Sequence, residues 1–236
     1  TEEIEKEEER KGKNGVAKTL GTQKEDGADM EIAVMLAEMR ETVLNESLVR
    51  AGQWEKQPLP LSRSVTKKRM GIAGFGQIGQ AIAHRAAAFG MEVAYFNSRP
   101  RTESILRFEP DLKALAEWSD VLVLAVSGGP RSANMVDAEV LDALGPNGVL
   151  VNIARGSVVD ETALLAALKQ KRILGAGLDV FQNEPNINPE FFTLDNAVLQ
   201  AHQASATVET RTLMGNLMVD NLKAHFEGKP LLTPIL

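Results

Sequence analysis

The stretch from Met70 to Arg101, MGIAGFGQIGQAIAHRAAAFGMEVAYFNSRPR, constrains the fold more than any other. A short apolar run ends in a glycine-rich turn, the turn opens a helix-period segment, and a second apolar run follows. Gly74, Gly76 and Gly79 have the spacing G-x-G-x-x-G. In that pattern the first glycine permits a tight turn, the second lets the backbone approach a pyrophosphate, and the third brings helix and strand together. The helix expected from Gln77 to Phe89, with Gln77 and Ile78 in its first turn, would offer unpaired N–H groups and the positive end of its dipole to phosphates. The segment predicts a dinucleotide-binding strand–turn–helix–strand unit.

The end of the second strand bears on which dinucleotide. NAD sites usually place an Asp or Glu there to accept from the ribose hydroxyls. This strand ends instead in Asn97, Ser98, Arg99, Pro100 and Arg101. A neutral amide removes repulsion against a 2′-phosphate, and a hydroxyl with two guanidiniums supplies charge-assisted hydrogen bonds to it. The reading is NADP(H) in preference to NAD(H); the ordinary alternative is that Arg99 and Arg101 are solvated loop charges.

With 44% hydrophobic residues in 236, the chain can bury one large core. A net charge of −6 argues against a nucleic-acid or anionic-membrane partner, so the expected partner is a small molecule. The absence of cysteine excludes disulfides, a thiolate nucleophile and Cys-ligated zinc, and with three histidines no structural metal is expected. No apolar stretch is long enough to span a bilayer, and the acidic opening is unlike a signal peptide, so a cytoplasmic location is expected.

Four regions are expected along the chain. Residues 1–27 form a charged remnant or tail, with one short strand near Val16–Leu20. Residues 28–68 hold a long helix, Ala28 to Leu48, and a linker; Glu31, Glu38, Glu41 and Asn45 form its polar stripe. Residues 69–206 alternate strand and helix, and runs such as VLVLAV and VLVNIA suit strands covered on both faces. Residues 207–236 are a closing helix and a proline-containing tail. The fold class is α/β: a doubly wound parallel sheet of Rossmann type, one main domain with a long N-terminal linking helix.

Three later segments carry chemistry-bearing side chains at strand ends: NIARG with Arg155, GLDVFQNEP with Asp179 and Glu184, and LQAHQASAT with His202. Singly, each has an ordinary reading as a helix-end cation, a surface acid or a packed imidazole. In this order behind the glycine-rich turn, together with SDVLVLAV, NIARGSVVDETAL and the H-x-x-S-A-T-x-E-T-R run, they resemble the D-isomer-specific 2-hydroxyacid dehydrogenases, most of all the NADPH-dependent glyoxylate/hydroxypyruvate reductase branch. The resemblance runs from about Ala28 to the C-terminus.

It implies that Arg155 binds the carboxylate and carbonyl of a 2-oxo acid, that His202 protonates the carbonyl oxygen as hydride arrives, and that Glu184 pairs with the imidazole. A carboxylate beside an imidazole favours the charged acid and fixes its orientation. By the same resemblance Asp179 would accept from the nicotinamide carboxamide, and Val126, Ser127, Ile153 and Ala154 would line the nucleotide. By the same resemblance the 28–48 helix would contribute to a homodimer, a contact that its Glu stripe could instead prevent.

The chain also departs from the family. Little of the usual N-terminal substrate lobe precedes the linking helix, several helix positions are Glu where the family is apolar, and Ala201 stands where a proline is frequent. The expectation is a cofactor domain with most of the substrate lobe missing, by truncation or engineering, and with polar residues on its bared faces. Such a chain either reduces a small 2-oxo acid or is a dinucleotide-binding scaffold with little catalysis.

Overall fold

Strands that are apolar on both sides need cover on both faces, and the sheet has it. The computed structural model describes residues 17, 21–56, 58, 59 and 61–235. Its strands are β1 (Arg69–Ala73), β2 (Glu92–Phe96), β3 (Arg107–Phe108), β4 (Val121–Leu124), β5 (Val149–Asn152), β6 (Gly175–Leu178) and β7 (Ala197–Leu199). They form one seven-stranded sheet in the order β3-β2-β1-β4-β5-β6-β7, with every neighbouring pair parallel. The helices are α1 (Lys24–Met39), α2 (Thr42–Arg50), α3 (Gln77–Ala88), α4 (Leu112–Trp118), α5 (Ala138–Leu144), α6 (Glu161–Lys169) and α7 (Val208–Phe226).

Side chains alternate across the sheet with a period of two. Met70, Ile72, Val121, Val123, Val149 and Val151 point to the face covered by α1 and α3, where they pack with Val34, Met35, Ile82 and Ala86. Leu122, Leu124, Leu150 and Leu178 point to the opposite face and pack with Leu115, Leu141, Leu164 and Leu168 of α4, α5 and α6. A methyl group at Gly177 would collide with Val34, so the bare backbone of β6 is what lets α1 lie close to the sheet. Strand order reverses between β1 and β4, which opens a crevice at the carboxyl ends of these strands.

Two expectations need correction. The single helix from Ala28 to Leu48 is two helices: α1 ends at Met39, and Glu41 takes a left-handed conformation (φ 50°) as the N-cap of α2. The carbonyl of Met39, which a continuous helix would use internally, instead accepts from the Arg63 N–H at 2.8 Å. Apolar periodicity does not register such a break. The acidic stripe does not face water either. Glu31 is 0% exposed with neither carboxylate oxygen hydrogen-bonded, and Glu38, Glu41 and Asn45 are half-buried. These four residues therefore do not supply a water-compatible exposed face.

The short β3 and the 3-10 turns at Gly156–Val158 and Pro189–Thr193 were not expected. The tail and most of the strand expected at Val16–Leu20 lie outside the described residues, apart from Ala17, which forms an antiparallel bridge with Pro234.

The chain divides into two compact units, Gly27–Ala204 and one drawn from residues up to Asp26 and from Ser205 onward. The first holds the whole sheet. In the second, Thr207 caps α7 by accepting from Thr210 N at 3.1 Å, and its hydroxyl donates to Asp26. Val208, Met218 and Phe226 of α7 are exposed. Among the described residues no helix is long and apolar enough to cross a membrane.

Candidate active site

The glycine-rich turn has the close contacts that its spacing demands. Gly74 lies at φ 99°, and a Cβ there would sit 2.6 Å from the backbone of Ala125 and Val126. A Cβ at Gly79 would strike the Gly74 carbonyl, whereas Gly76 faces open space. Helices α4, α5 and α6 are capped by the carboxylates of Asp111, Asp137 and Asp160, but α3 has Gly76 as its N-cap and no side-chain acceptor. Its first N–H groups are thus left to an anion approaching the bare Gly76 backbone. These residues fit the pyrophosphate of a dinucleotide.

Past β2, Asn97 is half-buried and Ser98, Arg99 and Arg101 are exposed. Arg101 is drawn back towards the glycine-rich turn: its N–H donates to the Tyr95 hydroxyl at 2.8 Å and its Nε to the Phe75 carbonyl at 3.2 Å. Tyr95 is itself stacked on Phe75, with ring centroids 4.2 Å apart. The role of Tyr95 was missed, because a tyrosine inside an apolar strand is indistinguishable from core. Val126 is half-buried and Ser127 exposed after β4, and Ile153 and Ala154 are buried after β5. All four follow the carboxyl ends of β4 and β5, the two strands that continue the sheet from β1 on the side away from β2.

Arg155 follows β5 on a backbone braced by Asn152, which is 1% exposed. Asn152 Oδ1 accepts from Ala154 N at 3.0 Å, and its Nδ2 donates to the Arg155 carbonyl at 3.1 Å. The Arg155 guanidinium donates to the Ala154 carbonyl at 2.6 Å. Gly156 presses against the Phe181 carbonyl, a contact that leaves no room for a side chain.

Phe181 N–H in turn donates to Glu184 Oε1 at 2.8 Å, and Glu184 Oε2 lies 2.7 Å from His202 Nδ1. Partial burial opposes ionisation of Glu184, but the hydrogen bonds from His202 and Phe181 and the charges of His202 and Arg155 outweigh it and hold the carboxyl below its usual range. As a carboxylate it accepts a hydrogen bond from Nδ1–H, which leaves Nε2 for another partner. An apolar cavity of about 320 Å³, walled by Phe181, Ile187, Phe192 and Leu199, opens beside this pair.

His202 sits in a left-handed conformation (φ 54°) on a loop held by Asp179. The Asp179 carbonyl accepts from His202 N at 2.8 Å, and the fully buried carboxylate accepts from Gln203 N at 2.7 Å and Ala204 N at 2.9 Å. Each oxygen keeps a further lone pair. Asn152 and this bracing by Asp179 were not anticipated, although both residues lie inside segments that the sequence had singled out. Among the described residues no group of three or more His, Cys, Asp or Glu side chains could hold a metal ion.

A parallel sheet with a glycine-rich turn at its reversal point, an arginine, and a carboxylate-paired histidine at neighbouring strand ends together define a class of nucleotide-dependent oxidoreductase domain. Residues 32–204 match the model of the D-isomer specific 2-hydroxyacid dehydrogenase NAD binding domain, and the chain belongs to that family. It is 66% identical over all 236 residues to a 2-ketogluconate reductase of Gluconobacter oxydans, of which it spans 76%. It is 43% identical over 212 residues to a glyoxylate/hydroxypyruvate reductase of Arabidopsis thaliana, of which it spans 68%. Among solved structures, the NADPH-dependent glyoxylate/hydroxypyruvate reductase of Sinorhizobium meliloti in complex with NADP and malonate superposes with a TM-score of 0.92 at 41% identity, over 97% of this chain and 72% of that one.

Proposed function

We propose that this NAD(P)-binding domain takes NADP(H) in preference to NAD(H) and acts in the reduction of a small 2-oxo acid, with glyoxylate and hydroxypyruvate as the first candidates. The observation that carries the reading is the connected set Arg155, Glu184 and His202 at the strand ends that follow the glycine-rich turn. The bound cofactor supplies the hydride. Arg155 offers a planar fork that matches the substrate carboxylate and polarises its carbonyl. His202, as imidazolium, delivers its Nε2 proton to the carbonyl oxygen and keeps the proton on Nδ1, where ionised Glu184 accepts a hydrogen bond that favours the charged ring and fixes its orientation. Asp179, fully buried here, would meet the nicotinamide carboxamide through the lone pairs left by its two backbone bonds once the cofactor parts the loop that covers it.

The preference for the 2′-phosphate rests on Asn97, Ser98, Arg99 and Arg101 where an acid would serve NAD, and on the position of Arg101 beside the glycine-rich turn. The name of the relative at 66% identity favours a second substrate, a longer 2-oxo aldonic acid such as 2-ketogluconate. A homodimer is proposed through the 28–48 region: α2 buries none of its residues, and Val43, Val49 and Trp54 are exposed along it and just beyond.

NADPH consumption is to be followed with glyoxylate, hydroxypyruvate and 2-ketogluconate, for the native chain and for His202→Ala. Equal rates in the two proteins would remove the catalytic reading. Titration with NADPH and NADH against Arg101→Ala and Arg99→Ala tests the phosphate contact, which fails if both cofactors lose affinity alike.

A further inference from the structure

Arg155 presents a side chain with four rotatable bonds, and its one described side-chain hydrogen bond goes to the adjacent Ala154 carbonyl. That bond alone does not confine such a chain. The restriction comes from the loop after β4. A Cβ at Gly128 would lie 2.7 Å from Arg155 Cγ, 3.3 Å from its Cβ and 3.8 Å from its Cδ, so the aliphatic stem of Arg155 runs directly across the bare Gly128 backbone.

Neither backbone can give way easily. On the loop side, the buried Ser132 hydroxyl donates to the carbonyls of Ser127 at 2.7 Å and Gly129 at 3.2 Å, and Ser132 N–H donates to Gly129 at 3.1 Å. Further along, Asn134 N–H donates to the Ser157 carbonyl at 2.8 Å and Val136 N–H to the Val158 carbonyl at 3.1 Å. The loop is thereby stitched to the turn that follows Arg155. On the other side, Asn152 and the contact of Gly156 with Phe181 hold the Arg155 backbone. The compliant element between two braced backbones is the arginine side chain. Gly128 itself is outside the left-handed region, so the backbone there would accept alanine and only the arginine stem opposes one.

We infer that Gly128 is a positioning residue for Arg155: its missing side chain forms the groove in which the arginine stem lies, and so sets where the guanidinium meets the carboxylate of a 2-oxo acid. The inference rests on the substrate-binding role proposed for Arg155. It makes the second half of the VSGGP loop part of substrate recognition without any contact to substrate.

The test uses the full chain loaded with NADPH and titrated with oxalate by calorimetry, for the native protein, Gly128→Ala, Arg155→Ala and the double variant, alongside crystal structures of the native chain and Gly128→Ala. Displacing a recognition group by about 1 Å costs on the order of 10- to 100-fold. Gly128→Ala is expected to weaken oxalate binding by that factor, to leave NADPH affinity unchanged, and to show the Arg155 guanidinium displaced from the Ala154 carbonyl. The double variant is expected to bind no more weakly than Arg155→Ala alone. A guanidinium that stays in place in Gly128→Ala, or full additivity of the two losses, overturns the inference. If Arg155→Ala itself leaves oxalate affinity unaltered, the proposed role of Arg155 falls instead, and the guanidinium position in Gly128→Ala still decides whether Gly128 sets it.

Discussion

Replacing Glu31 with leucine is expected to stabilise this protein, and by an amount that depends on pH. Glu31 lies on α1, wholly out of contact with solvent and with neither carboxylate oxygen hydrogen-bonded, and burial pushes its pKa up from 4.5 to about 8. Between these two values the unfolded chain releases the proton and the folded chain retains it. Stability therefore falls as pH rises through this window, by about 1.4 kcal/mol per pH unit, and levels off above pH 8.

At pH 7 the accumulated cost is about 3 kcal/mol. A leucine of similar volume cannot titrate and adds apolar burial beside Val34 and Met35. The assay is urea unfolding of the native chain and Glu31→Leu at half-unit steps from pH 5 to pH 8, read as free energy against pH. Glu38, whose pKa is also raised to about 8 by burial and by the charge of Glu41, slopes the same way in both proteins and cancels from the difference. The gap between the curves is expected to widen from near pH 5 to about 3 kcal/mol at pH 7. Parallel curves would mean that Glu31 ionises equally in both states, and the burial argument would be refuted.

Other consequences are as specific. Gly79→Ala forces a methyl group onto the Gly74 carbonyl and is expected to cost about 1–3 kcal/mol of stability together with measurable NADPH affinity; unfolding midpoints and fluorescence titration check it. Asp179→Asn leaves a backbone N–H facing an amide, so the Gln203 and Ala204 amides are expected to exchange faster with deuterium while those of β4 do not change. Glu184→Gln is expected to lower the rate of 2-oxo acid reduction by about 10²-fold at constant NADPH affinity. Because the Glu184 pKa is depressed, its contribution to stability is present above pH 4.5 and is lost as pH falls below that, so native and Glu184→Gln stability should converge in acid.

Much of the architecture was legible because it rests on local rules. The runs VLVLAV and VLVNIA could only be strands covered on both faces, and α5 and β2 begin and end where their apolar patterns do. The carboxylates at Asp111, Asp137 and Asp160 mark helix starts for the reason that they cap them. The glycine-rich turn announces its own geometry, since only glycine tolerates φ 99° against the Ala125 backbone. The largest miss depends on a distant segment. The break after Met39 exists because Arg63 captures the carbonyl of Met39, and no periodicity within the helix reports a donor 24 residues away.

Sequence alone therefore determined the alternation of strands and helices from Met70 onward apart from the short β3, the dinucleotide turn and the identity of the charged side chains near it, because each follows from backbone sterics and apolar spacing over a few residues. Tertiary structure decided which carboxylates are buried and which are used. Glu31 and Glu184 are the same residue type, yet one is fully buried without a hydrogen-bond partner and the other lies 2.7 Å from an imidazole nitrogen. That difference arises from desolvation and hydrogen bonding, and both are properties of the neighbours that folding assembles rather than of the residue itself.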